Sequence, residues 1–145
     1  MRLVPYEEFG KLRLRRFCPG DELYYECDDE HGVFIREEIR GAVFARLRKR
    51  RKELVIIDLS LNDYSTNVGP PVFSAIGLDL ESGISAKDVQ RRFGKLPRWK
   101  RKDGGYVIFD TDGDFCYEVS CSYDKNDKLC QVRVRRLDID IPDES

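Results

Sequence analysis

The sequence predicts an α+β fold that is predominantly antiparallel β-sheet, with one short capped helix over residues 85–93. Complete start and stop signals surround that helix. Apolar and polar residues alternate strictly over residues 115–123, as in a strand with one buried face. An Asp-Gly pair separates this segment from the strand-like residues 106–109, which is typical of a β-hairpin. Together, these observations predict a helix docked on an antiparallel sheet.

The helix over residues 85–93 has a specific signal at each end. Ser85 is placed to cap the first backbone N–H groups, and Asp88 stands three residues later, as in a capping box. Ile84 and Val89 occupy the two positions of a hydrophobic staple. Gly94 then provides a left-handed C-terminus. We therefore expect the helix to be anchored through its apolar side.

Further strands are predicted in the C-terminal half of the chain. Residues 72–80 form a first extended segment that leads into the helix, and residues 129–141 form a last long strand. The apolar parity of this last strand changes near Arg135 and Arg136. Such a change predicts a bulge or a bend at that point.

The N-terminal half is less clearly patterned. Residues 11–17 and 22–27 have strand-like composition, and residues 54–61 alternate as a strand. Residues 37–53 fit two interpretations, because their apolar side chains follow a helical stripe while Ala42–Leu47 fits a strand equally well. We favour a second helix over residues 37–53.

Length and composition indicate a single domain over residues 1–145. Turn-forming residues concentrate at 62–71, which divides the chain into possible halves at 1–65 and 72–141. No internal repeat is evident. Charged residues make up 37% of the chain, but 26 basic and 27 acidic side chains leave a formal net charge of −1. The overall field therefore does not steer the protein toward nucleic acid or an anionic membrane.

The sequence also bears on the compartment of the protein. No stretch of about 18 apolar residues occurs, so we expect no contact with a membrane and a cytoplasmic location. The five cysteines form an odd set without the regular spacing of a disulfide framework. We therefore expect reduced thiols, used in part as small core residues.

Two patterns are candidate functional sites: an acidic run for metal binding, and a combination of cysteine and histidine for catalysis. The acidic run at residues 110–114 resembles the start of a calcium loop, but its glycine is fourth and its twelfth residue is Cys121. We expect a hairpin turn there and no metal or other cofactor. Cys18 or Cys27 with His31 would form a thiol enzyme if the fold brought them together, and this small Cys/His-dependent enzyme is one alternative function.

The strongest local charge feature is a basic run between residues 46 and 52. Clustered cations favour phosphate backbones through counterion release, so a nucleic-acid-binding domain is the other alternative function. Its binding residues would be Arg46, Arg48, Lys49, Arg50, Arg51 and Lys52. The alternative interpretation of the basic run is purely structural: a solvated helix face or hairpin tip whose cations pair with nearby glutamates.

A second set of residues favours protein binding. Trp, Tyr and Arg are enriched among the residues that carry most of the affinity where proteins meet. The dense, mixed-sign surface suits selective association, because complementary charge rejects wrong partners. We therefore predict a non-enzymatic module that binds and masks another protein, as inhibitor and immunity proteins do. The predicted contact residues are Arg98, Trp99, Tyr106 and Tyr123.

Short motifs in the C-terminal half carry a family resemblance. Gly83-Ile84-Ser85, Asp88-Val89 and Gly94-Lys95-Leu96-Pro97 precede a meander of short strands. Residues 80–137 thereby resemble the helix-plus-sheet modules of the beta-lactamase-inhibitor-protein and SmpA/OmlA lipoprotein type. The resemblance implies a helix packed on an antiparallel sheet, with the sheet face or the loops binding another protein.

Overall fold

The computed structural model of the chain describes residues 1–62 and 68–140. Within these residues, eight strands form one antiparallel sheet, and three α-helices and two 3₁₀ turns accompany it. The helices are α1 (Tyr6–Gly10), α2 (Gly69–Ile76) and α3 (Ala86–Phe93), and the 3₁₀ turns are Leu14–Phe17 and Arg50–Lys52. The strands are β1 (Tyr25–Asp28), β2 (Phe34–Ile39), β3 (Ala42–Leu47), β4 (Leu54–Ser60), β5 (Trp99–Lys100), β6 (Tyr106–Asp110), β7 (Tyr117–Tyr123) and β8 (Leu129–Arg136). The predicted α+β class is confirmed.

The sheet consists of two four-stranded meanders. Its strand order is β1-β2-β3-β4-β8-β7-β6-β5, so β4 and β8 pair at the centre and join the two halves of the chain. Each half begins with two short helical segments and continues with four strands, and in the N-terminal half the 3₁₀ turn at Arg50–Lys52 lies between β3 and β4. This architectural repeat was not evident in the sequence. Half of the predicted turn-rich boundary at 62–71, namely residues 63–67, lies outside the described residues, as does residue 141.

The main core lies on one face of the sheet. Fully buried apolar side chains succeed one another across the sheet in register, from β3 to β6: Phe44, Ile57, Val134, Val119 and Phe109. Helix α3 packs on this row of side chains, since the ring of Phe93 stacks on that of Phe109 with ring centroids 4.1 Å apart. Burying one such side chain contributes about 1.5–3 kcal/mol. The helix-covered face therefore holds the fold together.

The predicted Ser85 cap and Gly94 terminus of α3 are confirmed. The hydroxyl of Ser85 accepts a hydrogen bond from the backbone N–H of Asp88 at 3.2 Å. Gly94 ends the helix with a φ of 71°, and Val89 is fully buried. The carboxylate of Asp88 pairs with Arg91 at 2.8 Å. The helix is thus fixed at both ends and along its apolar side.

The predicted helix over residues 37–53 is wrong. These residues form the hairpin of β2 and β3, followed by the 3₁₀ turn at Arg50–Lys52. Arg40 and Gly41 connect the strands with φ values of 40° and 84°, and two positive φ angles define a turn that matches the twist of a hairpin. A Cβ on Gly41 would lie 3.1 Å from that of Ser60. The Arg-Gly pair therefore decides between strand and helix.

The extended segment predicted at residues 72–80 is also wrong. Helix α2 occupies Gly69–Ile76, with prolines in its first turn, and ends at Gly77, whose φ is 79°. Proline is tolerated in the first turn because those N–H groups have no partner within the helix. Val72 and Ile76 lie one helical turn apart, and both are fully buried. Tertiary packing thus favours the helical periodicity of this segment.

Other element boundaries differ from the predicted ones. The strand predicted at residues 11–17 is replaced by the residues that follow α1 and by the 3₁₀ turn at Leu14–Phe17. The strand predicted at 22–27 starts later and ends one residue further on, as β1 (Tyr25–Asp28). The strand predicted at 129–141 ends at Arg136, whose guanidinium group binds the carboxylate of Asp138 at 2.9 and 2.7 Å. The chain then crosses to the other face of the sheet. There Ile139 joins a second, smaller apolar cluster with residues of β2, β3 and β4.

Candidate functional site

The face of the sheet opposite the helices is uncovered over the C-terminal meander. Since successive side chains of a strand point to opposite faces, the residues that alternate with the core residues lie here. We call this surface the open face. From β5 to β8 it presents Trp99, Tyr106, Ile108, Asp110, Glu118, Ser120, Ser122, Gln131, Arg133 and Arg135.

Two of the predicted contact residues form an aromatic ridge on the open face. Trp99 lies on the edge strand β5 opposite Ile108 of β6, and its side chain is 46% exposed. The ring of Tyr106 packs edge-on against it, with centroids 5.8 Å apart. Edge-to-face packing fixes both rings, so little side-chain freedom remains to be lost when they are covered.

A network of ion pairs holds the third predicted residue beside this ridge. The guanidinium group of Arg98 binds Asp110 at 2.9 Å and contacts Glu118, which also lies 3.4 Å from Arg135. The network spans β5 to β8 across the open face. The hydrogen bond to Asp110 raises the pKa of Arg98, and an arginine is charged at every physiological pH. Arg98 thus presents an oriented positive charge next to two aromatic rings.

A shallow depression of about 190 Å³ lies next to Tyr106 on the open face. The small side chains of Ser120 and Ser122 form its floor, because they stand between the larger residues of β6 and β8. The amide of Gln131 donates to Asp58 at 2.9 Å on its far wall. The remaining wall residue is Arg133. The alternation in the sequence predicts that Ser120 and Ser122 lie on the polar face of a strand. It does not predict the depression, because the depression depends on the register of three strands.

Tyr123 does not belong to this surface. Its parity places it on the helix-covered face, and it is only 8% exposed. Burial raises the pKa of its hydroxyl group, which lies in hydrogen-bond contact with Cys121. The prediction that Tyr123 shares a contact surface with Trp99 and Tyr106 is therefore corrected, because alternate faces of the sheet separate them.

The basic run divides into a buried part and an exposed part. Arg46 is buried, and its guanidinium group binds Glu37 at 3.1 Å and Glu26 at 2.8 Å. Glu37 is also buried and accepts a second hydrogen bond, from the hydroxyl of Tyr24 at 2.8 Å. Pairing of the basic run with nearby glutamates was one interpretation of the sequence, but the burial of Glu37 and Arg46 depends on the pairing of their two strands. Arg46 is thus unavailable to a nucleic acid.

Residues 48–52 form the exposed tip between β3 and β4, which we call the basic tip. Arg48 pairs with Asp28, and Arg50 lies 3.9 Å from Glu53. Within the described parts of the chain, Lys49, Arg51 and Lys52 make no ion pair. Phe44, which stands two residues before the basic run in the sequence, is fully buried on the helix-covered face. The basic tip therefore offers charge without an aromatic platform and has acidic side chains beside it.

The thiols of the two candidate catalytic cysteines have pKa values shifted away from activation. Burial raises the pKa of the Cys27 thiol, and burial raises that of Cys18 as well. An activated thiolate requires the opposite shift. Over residues 1–62 and 68–140, no hydrogen bond joins His31 to either thiol, and all five cysteines are free. The geometry thus gives no support to a Cys/His pair.

We found no match for the chain among protein-family models, curated proteins or solved structures. None of the helices in the described residues is both long and apolar enough to cross a membrane. The same residues hold no group of three or more His, Cys, Asp or Glu side chains that could bind a metal ion.

Proposed function

We propose that this protein is a non-enzymatic binding module that uses the open face to contact another protein. The observation that carries the proposal is the fixed arrangement of Arg98, Trp99 and Tyr106 beside the depression. These residue types supply most of the affinity in protein interfaces when they are rigid and well packed. Masking of a partner, as by an inhibitor or immunity protein, requires no more than such a surface.

The charges of the open face support the same proposal. Asp110 and Glu118 alternate with Arg98 and Arg135, so the ridge is bordered by both signs of charge. Such a border favours a partner with the complementary pattern and rejects others, because misplaced like charges are costly when they lose water. The resemblance of residues 80–137 to inhibitor-type modules implies the same class of function.

The test is quantitative affinity capture from a lysate of the source cell. The unmodified protein is compared with the double variant W99A/Y106A and with the control L23A/Y25A, which removes exposed apolar groups near the opposite edge of the sheet. We expect a specific protein to be lost from the first variant and retained by the control. Loss of two central anchors weakens binding by about 2 kcal/mol or more, which is roughly thirtyfold. Equal recovery with both variants would contradict the proposal.

Nucleic-acid binding by the basic tip is the second candidate function. Five consecutive exposed cations at residues 48–52 favour it, while the pairing of Arg48 and Arg50 with acids weakens it. It requires salt-dependent binding of a labelled oligonucleotide that decreases when Arg48, Lys49, Arg50 and Arg51 are made neutral. Absence of binding at low salt would remove this candidate.

A further inference from the structure

A groove of about 850 Å³ lies on the other side of the edge strand β5, between α3 and the sheet. Its floor is apolar and consists of Val107, Phe109 and Tyr123. Leu96 stands at its rim with 76% of its side chain exposed, the largest exposure among the prominent exposed apolar residues. Because neighbouring residues of a strand face opposite ways, Lys100 lines this groove while Trp99 faces the open side.

The rim of the groove is positively charged in a protein whose net charge is −1. Four cations line it against two carboxylates, and the cations are Lys87, Arg91, Lys95 and Lys100. Lys87 and Lys100 make no ion pair in the described residues, while Arg91 and Lys95 pair with exposed carboxylates at 2.8 Å. Of the two lining carboxylates, Asp103 binds Arg101 and the backbone N–H of Gly105, both at 2.8 Å. The second is Asp127. Among the lining cations, Lys87 and Lys100 are thus open to a ligand, and a ligand carboxylate would compete with the exposed partners of Arg91 and Lys95.

The spacing of the cations fits an extended chain. Lys87 and Arg91 lie four residues apart on α3, which places them about 6 Å apart along the helix axis. Alternate residues of an extended peptide are about 6.6 Å apart and point the same way. Carboxylates at alternate positions therefore match the two helical cations, and Lys95 follows just beyond the helix end.

From this complementarity of charge and spacing, we propose that the groove binds an extended acidic segment of a protein, with carboxylates at alternate positions facing α3. Apolar side chains of the segment contact Leu96 and the floor of the groove. The inference is independent of the open-face proposal, because Trp99 and Tyr106 point to the other side of the sheet.

The probe for the test is a fluorescein-labelled peptide of about eight residues with Glu at alternate positions and Leu or Thr between them. A second peptide has the same composition with its Glu residues contiguous. Fluorescence anisotropy at low salt is expected to show saturable binding of the alternating peptide and weaker binding of the contiguous one. Absence of saturable binding to the unmodified protein would overturn the proposal.

Two charge-matched variants locate the binding. K87E/R91E reverses two groove cations, and K49E/K52E makes the same charge change at the basic tip. Exposed ion pairs are individually weak, and reversal of two of them is expected to weaken the alternating peptide about tenfold. The tip variant is expected to leave its affinity unchanged. Equal weakening by the tip variant, or tighter binding of a single-stranded oligonucleotide of matched charge, would overturn the assignment.

Discussion

The buried pair of Arg46 and Glu37 gives a prediction whose size follows from burial. The side chain of Arg46 is 7% exposed and that of Glu37 is 2% exposed, whereas that of Glu26 is 50% exposed. Substitution of Arg46 by Met keeps much of the volume but leaves the Glu37 carboxylate buried, with the Tyr24 hydroxyl as its one remaining donor among the described residues. Removal of one partner of a buried pair costs about 3–5 kcal/mol. The loss of the pair with Glu26 adds little, because that group is half in water.

The assay is urea unfolding followed by circular dichroism. We expect R46M to lower the free energy of unfolding by about 3–5 kcal/mol, with an unchanged slope against urea. The double variant R46M/E37Q replaces the unpaired buried carboxylate by a neutral amide and keeps an acceptor for the Tyr24 hydroxyl. It should therefore regain most of the free energy of unfolding that R46M loses. The matched control is R48M, whose partner Asp28 is 61% exposed, and its expected effect is below about 1 kcal/mol. An R46M effect as small as that of R48M would refute the reasoning, as would a double variant no more stable than R46M.

Three further predictions concern single residues. S85A removes the acceptor of the Asp88 N–H and should cost about 1 kcal/mol in urea unfolding, while S85D should cost much less; equal losses would show that the cap contributes nothing. Burial raises the pKa of Cys27, so its thiolate fraction at a given alkaline pH is lower than that of a free cysteine. In a C116S variant, iodoacetamide should therefore label Cys27 more slowly than it labels the cysteine of a model peptide. Faster labelling would support the thiol-enzyme hypothesis. G41A forces a Cβ into a turn with a φ of 84° and against Ser60, so it should destabilise the protein by more than about 1 kcal/mol, and a neutral effect in thermal unfolding would contradict the tight turn.

The strongly patterned parts of the fold were predictable from the sequence. Helix α3 has its cap and its glycine stop within a few residues, so local signals mark both of its ends. Strand β7 alternates apolar and polar side chains, and all of its apolar side chains are buried on one face, which determines its faces. In both segments, local propensity and tertiary packing favour the same structure.

The wrong predictions came from segments in which two periodicities compete. In residues 37–53 a helical stripe overlaps the alternation of β3, and the Arg-Gly turn that resolves it has positive φ at an arginine. In α2 two prolines and apolar residues resemble an extended segment until the burial of Val72 and Ile76 is known. Long-range packing decides both segments, and a single sequence does not display it.

The candidate site was predictable only in part. Trp99, Tyr106 and Arg98 were expected at a contact surface from their residue types alone. The depression between β6 and β8 depends on the register of Ser120 and Ser122, and the exclusion of Tyr123 depends on its parity. Surfaces made from several strands thus require the pairing of the sheet.

The most direct test of the proposed protein-binding function is site-specific photocrosslinking within the source cell. A photoreactive residue is placed at position 99 on the open face, and in a second variant at position 25 on the opposite edge strand. Both native side chains are about half exposed, so the two positions are matched in accessibility. The proposal predicts one discrete crosslinked protein from position 99 and none from position 25. Crosslinking only from position 25, or from neither position, would contradict it.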